Sequence, residues 1–347
     1  MPRMIGAAVQ RRRRDGSRIE RDYALMRAAG VEWVRMGFRT PFADATLRQL
    51  TSEFRDQEHE VELLRAHGFK LMGYTPFPGG DLDIGGGFSA WGGPMGSAGY
   101  YALYEEVCAW LAERFRDVAS AWQVANELNA PDWNGGLTAE QSVTFLLQGA
   151  RGVKRGNPNA LVGVNMAGFD ERALWMYQQL FPNDVVALDY IGADGYFGSY
   201  NEGGPEHWRE KLDQLHAIAG LPIVVQEFGY PSAGGTMRDP AQRREHQRFR
   251  CVERAWPYSW EERPRDATTQ AEYIERCMTI FAADPRVIGV FVWRWNDGGR
   301  CWLCGSPDCP ITGNWGLVDI DERTKPAYYA FQRGAVRLHQ GDSPDVY

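Results

Sequence analysis

No apolar run in the 347-residue chain reaches the roughly 18 residues that a membrane-crossing helix needs. The opening stretch, MPRMIGAAVQRRRR, lacks the long apolar segment and small-residue cleavage site of a secretory leader. A cytoplasmic protein is therefore expected, or a secreted one whose leader has been removed. Basic charge is in deficit: 38 Lys and Arg stand against 45 Asp and Glu, a net charge of -7. That balance argues against a nucleic-acid or membrane-surface partner. The one basic run, Arg11 to Arg14, has no interleaved aromatics and reads as a solvated loop; its functional alternative is a rim for an anionic substrate group. Histidine is scarce, with six residues and no H-x-x-x-H type spacing, so a catalytic metal is not expected. No glycine-rich phosphate loop follows the first strand-like run, which disfavours an open dinucleotide-binding sheet. No strand-like run ends on a lysine, which disfavours a Schiff-base lyase or aldolase.

What remains is an ordinary globular composition, 44% hydrophobic and 24% charged. A chain of this length can bury a large core, so the fold need not depend on disulfides or metals. Eight short β-rich runs punctuate it, at 4–10, 31–38, 70–77, 120–128, 161–168, 188–196, 221–230 and 287–295. Most are almost continuously apolar, as expected for strands buried on both faces of a parallel sheet. Helical periodicity fills the gaps: IERDYALMRAAG and QEHEVELLRAHG each end in a glycine suited to a helix C-terminus, and Thr138 with Gln141 forms a capping-box pattern. Eight strands alternating with helices predict an α/β fold, a single (β/α)8 TIM barrel over residues 1–347. Long loops are expected after the third, seventh and eighth strands. All three lie at the C-terminal ends of strands, the face on which barrels build their sites.

Two carboxylates fall at that face. Glu127 closes the fourth run in AWQVANELNA, and Glu227 closes the seventh in LPIVVQEFGYPS. Two carboxylates converging in a partly dry cleft are driven apart in proton affinity, one becoming a proton donor and the other staying ionised. Glycosidic bond cleavage requires that division of labour.

Together, ANELN on strand four, VQEFGYPS on strand seven and FVWRWND on strand eight resemble the retaining glycoside hydrolases of clan A, loosely those of family 5. The resemblance runs strand by strand along nearly the whole chain. It implies Glu127 as acid/base, Glu227 as nucleophile and Asn126 as hydrogen-bond partner of the sugar 2-hydroxyl. A retaining mechanism further implies carboxyl groups about 5–5.5 Å apart and a covalent glycosyl-enzyme. By the same resemblance, Tyr196 would hydrogen-bond the nucleophile, Arg35 would steady Glu227, and Trp293 or Trp295 would lie beneath the sugar. Trp293 is favoured of the two, with Trp295 as the alternative. The sequence departs from family 5 at Asp194, where a histidine is frequent, and at GYTPFP after the third strand, which has no histidine.

Thirteen tryptophans are a heavy load, and Trp91, Trp133, Trp256, Trp260 and Trp302 fall in expected mouth loops, where they favour a saccharide ligand. Among the six cysteines, Cys108 and Cys277 fit buried helical positions. Cys251, Cys301, Cys304 and Cys309 could form a structural zinc site, disulfides, or free thiols. The sequence thus predicts a retaining β-glycoside hydrolase without a catalytic cofactor, acting on a β-linked carbohydrate. It leans toward an endo-β-glycanase of the β-mannanase or β-glucanase type. The alternatives are an exo-acting β-glycosidase and a barrel that binds glycan without cleaving it.

Overall fold

The structure, a computed structural model, describes residues 3–9, 16–80, 82, 87–181, 188–238 and 247–340. The Arg11–Arg14 run lies outside the described residues, as do parts of the long loops after the third and seventh strands.

The chain opens with β1 (Met4–Ala8), α1 (Gly16–Ala28), β2 (Trp33–Gly37), α2 (Ser52–Ala66) and β3 (Lys70–Tyr74). Next come α3 (Gly87–Gly92), α4 (Ala98–Arg114), β4 (Ala119–Gln123), α5 (Ala139–Gly156), β5 (Leu161–Val164) and α6 (Glu171–Leu180). The second half begins with β6 (Tyr190–Gly195), α7 (His207–Ala219), β7 (Ile223–Phe228), β8 (Gly235–Thr236), α8 (Gln247–Glu253) and β9 (Ala255–Trp256). It finishes with α9 (Ala267–Ala283), β10 (Val287–Val292), α10 (Pro310–Gly313) and α11 (Pro326–Gln340). Eight strands close a barrel in the order β1-β10-β7-β6-β5-β4-β3-β2, the expected (β/α)8 architecture. The remaining two, β8 and β9, form a separate two-stranded ribbon inside the long connection after β7.

Local chemistry explains the punctuation. Thr51, Ser97, Asp170 and Asp266 each cap a helix by accepting an amide hydrogen from the residue three positions on. At α5 both arms of the Thr138–Gln141 capping box are made. Gly68, just past α2, has φ +73°, a conformation that costs glycine little. All six positions of β6 and of β7 are buried, which is why their runs read as continuously apolar. No helix among the described residues is long and apolar enough to cross a membrane.

The chain divides into two compact units. One comprises Met1–Glu32, Gly195–Asp213 and Val225–Tyr347; the other comprises Trp33–Asp194 and Gln214–Val224. In the first, β1 pairs with β10 in register Met4 to Gly289. In the second, β2, β3, β4 and β5 pair in sequence, with a register shift between Leu71 and Met72.

Candidate active site

The unit containing β4 carries a connected polar network. Gln123, the last residue of β4, is fully buried, and its side chain reaches four partners. Its Oε1 accepts from Arg35 Nε at 2.7 Å, while Nε2 donates to Ala125 O, Asn126 Oδ1 and Asn165 Oδ1 at 2.7, 3.0 and 2.9 Å. Beyond it the chain turns sharply, and Ala125 and Glu127 both adopt left-handed backbone at φ +57° and +53°. Such a conformation costs a non-glycine residue roughly 1–2 kcal/mol. Side chains hold the turn in place. The Ala125 amide donates to Thr75 Oγ1 at 2.8 Å, and the Glu127 amide donates to Asn165 Oδ1 at 3.1 Å.

Three donors converge on Asn126 Oδ1: Arg35 Nη2 at 2.7 Å, Gln123 Nε2 at 3.0 Å and Asn165 Nδ2 at 3.1 Å. An oxygen is the only amide atom that can accept all three, so the orientation of Asn126 is determined and its NH₂ is left to donate elsewhere. Asn126 and Glu127 are both half-buried, reachable from outside the packed interior. Asn165, almost fully buried, also donates to Asp194 Oδ2. Tyr177 lies beneath this cluster; burial foremost, then the charges of Asp194 and Glu127, push its phenol well above the usual range. Arg35 donates to Gln123 and Asn126, and its guanidinium lies 4.8 Å from the Tyr74 ring centre.

The other unit carries Glu227, the second-last residue of β7 and 7% exposed. Tyr196, directly after β6, donates its hydroxyl to Glu227 Oε2. The tyrosine backbone is clamped in turn: its amide donates to Asn201 Oδ1 at 2.8 Å, and its carbonyl accepts from Ser199 Oγ at 2.9 Å. Trp293, just past β10, is half-buried and meets Tyr196 edge-on at 5.8 Å. The Trp293–Arg294 peptide bond is cis. Trp315 completes the cluster, edge-on to both Tyr196 and Trp293 at 5.2 and 5.1 Å.

Trp295 does not share this role. It is fully buried, its indole N–H donates to Asp22 Oδ1 at 3.1 Å, and its ring packs on Tyr328. It is a packing residue: β10 ends at Val292, so the strand alternation that would put residues two apart on one side no longer governs where either tryptophan points. Of the mouth-loop tryptophans, Trp256 and Trp260 are buried, Trp91 and Trp133 are half-buried, and Trp302 is 46% exposed.

The four cysteines singled out from the sequence come together. Their sulfurs all lie within 4.8 Å of one another, and every cysteine carries a free thiol. Burial opposes ionisation of Cys301, but the Thr312 hydroxyl and the amides of Cys304 and Leu303 outweigh it, so its thiol is lowered to about 7. Burial pushes Cys309 up to about 11.

Sequence reading missed Gln123, Asn165 and Trp315. The signal available for Asn165 was its position directly past the apolar β5.

No family model matches the chain, and no curated protein matches it by sequence. Its fold is nonetheless shared with solved glycoside hydrolases. A family 39 glycoside hydrolase from the gut symbiont Bacteroides cellulosilyticus superposes with a TM-score of 0.64 at 16% identity, covering 96% of this chain and 63% of that one. A GH2 β-galacturonidase from Eisenbergiella tayi, bound to galacturonate, gives 0.61 at 13% identity, covering 96% and 51%. A β-D-glucuronidase from Dictyoglomus thermophilum gives 0.57 at 14%, covering 93% and 47%. The chain thus spans about half to under two-thirds of the length of these structures. At such identities the likeness establishes the barrel fold that they have in common.

Proposed function

We propose that this chain is a retaining β-glycoside hydrolase that acts on a β-linked carbohydrate and needs no cofactor for catalysis. The observation that carries the reading is the Tyr196–Glu227 hydrogen bond at the C-terminal end of β7. It fixes one oxygen of a carboxylate that stands at the end of a barrel strand. Glu127 is taken as its counterpart because it follows β4 at the C-terminal end of that strand, as Glu227 stands at the C-terminal end of β7.

In this reading Glu127 protonates the glycosidic oxygen while Glu227 attacks the anomeric carbon, giving a covalent glycosyl-enzyme and releasing the aglycone. Glu127, now ionised, takes a proton from water, which displaces Glu227 and restores both carboxyl groups. Asn126 offers its NH₂ to a sugar hydroxyl, and Arg35 holds the Asn126 oxygen so that this NH₂ points outward. Trp293 offers an aromatic face to the apolar side of a pyranose.

The first substrate proposal is an internal bond of a β-mannan or β-glucan. Exo action on a terminal sugar is the second, favoured by the burial of Trp256 and Trp260, which removes two aromatics from any extended cleft wall. The uronide-cleaving neighbours add β-glucuronides and β-galacturonides to the candidates for exo action. A panel of defined β-linked oligosaccharides and aryl β-glycosides, uronides included, tests all of this at once. The first-formed product, read by NMR, is expected to retain the β configuration; an inverted product would overturn the two-step mechanism.

A further inference from the structure

Outside this polar network, four thiols form a close cluster among the described residues. Cys251 sits on α8, Cys301 and Cys304 in the loop after β10, and Cys309 directly before α10. Three features distinguish it from chance packing of small apolar residues. The first is spacing: Cys251 and Cys301 sulfurs stand 3.7 Å apart, and all four fall within 4.8 Å of one another. A tetrahedral zinc–thiolate centre with bonds of about 2.3 Å places its sulfurs about 3.8 Å apart. A disulfide would instead require about 2.05 Å.

The second is the turn. The Gly305 amide donates to the Cys301 carbonyl at 2.8 Å and the Cys301 amide to the Ser306 carbonyl at 3.0 Å, with Gly305 at φ +74°. This folds the C-x2-C segment back so that both sulfurs face Cys251 and Cys309. The third is access. Cys304 is exposed, and a surface hollow lined by Cys251, Val252, Leu303 and Cys304 leads to the sulfurs.

We propose that Cys251, Cys301, Cys304 and Cys309 bind one zinc ion as a structural site. Each thiol gives its proton to solvent as its sulfur takes a coordination bond, and nothing is oxidised or reduced. With four protein ligands the site is closed, so it supplies no bound water for chemistry. Its place in the fold gives it a positioning role. Cys301 and Cys309 belong to the same buried cluster as Tyr196, Trp256 and Trp315, and Cys251 and Trp293 pack against it. Cys251 precedes β9, whose Trp256 stands edge-on to Trp315. The ion thereby ties the connection after β7 to the loop after β10, behind the aromatic wall that carries the Glu227 partner. The metal site stands independently of the glycosidase reading.

The test is the full-length chain purified from zinc-supplemented medium under reducing conditions. Elemental analysis is expected to find about one zinc per chain, and Cys304→Ser, at an exposed position, is expected to lose it. Cobalt(II) added to the reduced, metal-free protein is expected to give intense sulfur-to-metal absorption, a measurement that requires no variant. Removing zinc is expected to lower the melting temperature. Protein that takes up neither zinc nor cobalt overturns the proposal.

Discussion

Tyr196 reaches Glu227 from the neighbouring barrel strand, its hydroxyl donating to one carboxylate oxygen while Asn201 and Ser199 hold its backbone in place. A hydrogen bond to a charged acceptor contributes about 1.5–3 kcal/mol. Tyr196→Phe is therefore expected to lower kcat/KM about 10- to 100-fold on an aryl β-glycoside that the protein turns over, with a near-native melting curve. Undiminished activity would remove Tyr196 from the reaction.

Glu127, as proton donor, assists departure only of leaving groups that need a proton. Glu127→Ala should leave a dinitrophenyl β-glycoside, whose phenolate departs unaided, comparatively well cleaved. Alkyl glycosides and oligosaccharides should lose about 10²–10⁴-fold in rate, the usual contribution of general acid catalysis. Equal losses on both substrate types would argue that Glu127 has some other task.

Asn165 bridges four groups: Gln123, Asn126, Asp194 and the Glu127 amide. Replacing it with alanine strands buried polar atoms, each costing about 1–3 kcal/mol. We expect Asn165→Ala to destabilise the fold by about 2–4 kcal/mol in denaturant titration and to impair turnover as well. A shift under about 0.5 kcal/mol would mean that the network tolerates its loss.

A partly buried ion pair tests the fold rather than the chemistry. Lys325 Nζ stands 3.1 and 3.2 Å from the two Asp297 oxygens and 2.9 Å from Ser232 Oγ. Burial is the leading influence on each partner, raising the Asp297 carboxyl and lowering the Lys325 ammonium, and their mutual attraction only partly offsets it. Lys325→Met leaves the carboxylate buried without its ammonium and should cost about 3 kcal/mol. The double variant with Asp297→Asn should recover part of that loss; if it is no more stable than the single variant, charge is not the cause.

How much was legible in advance follows from range. The barrel was, because eight strands buried on both faces must read as apolar runs, and the helices between them carry their own caps, as Thr138 and Gln141 illustrate. Glu127, Glu227, Asn126, Tyr196 and the four cysteines also stood out, since strand ends and close spacing are local features of a sequence. Pairwise geometry was not. The partners of Arg35, the burial of Trp295 against Asp22, and the roles of Gln123, Asn165 and Trp315 depend on side chains far apart in the chain. A run such as FVWRWND sets Trp293 and Trp295 two residues apart but does not say that one meets Tyr196 and the other Tyr328. That choice belongs to the tertiary structure, because only closing the barrel sets the direction in which each strand end points.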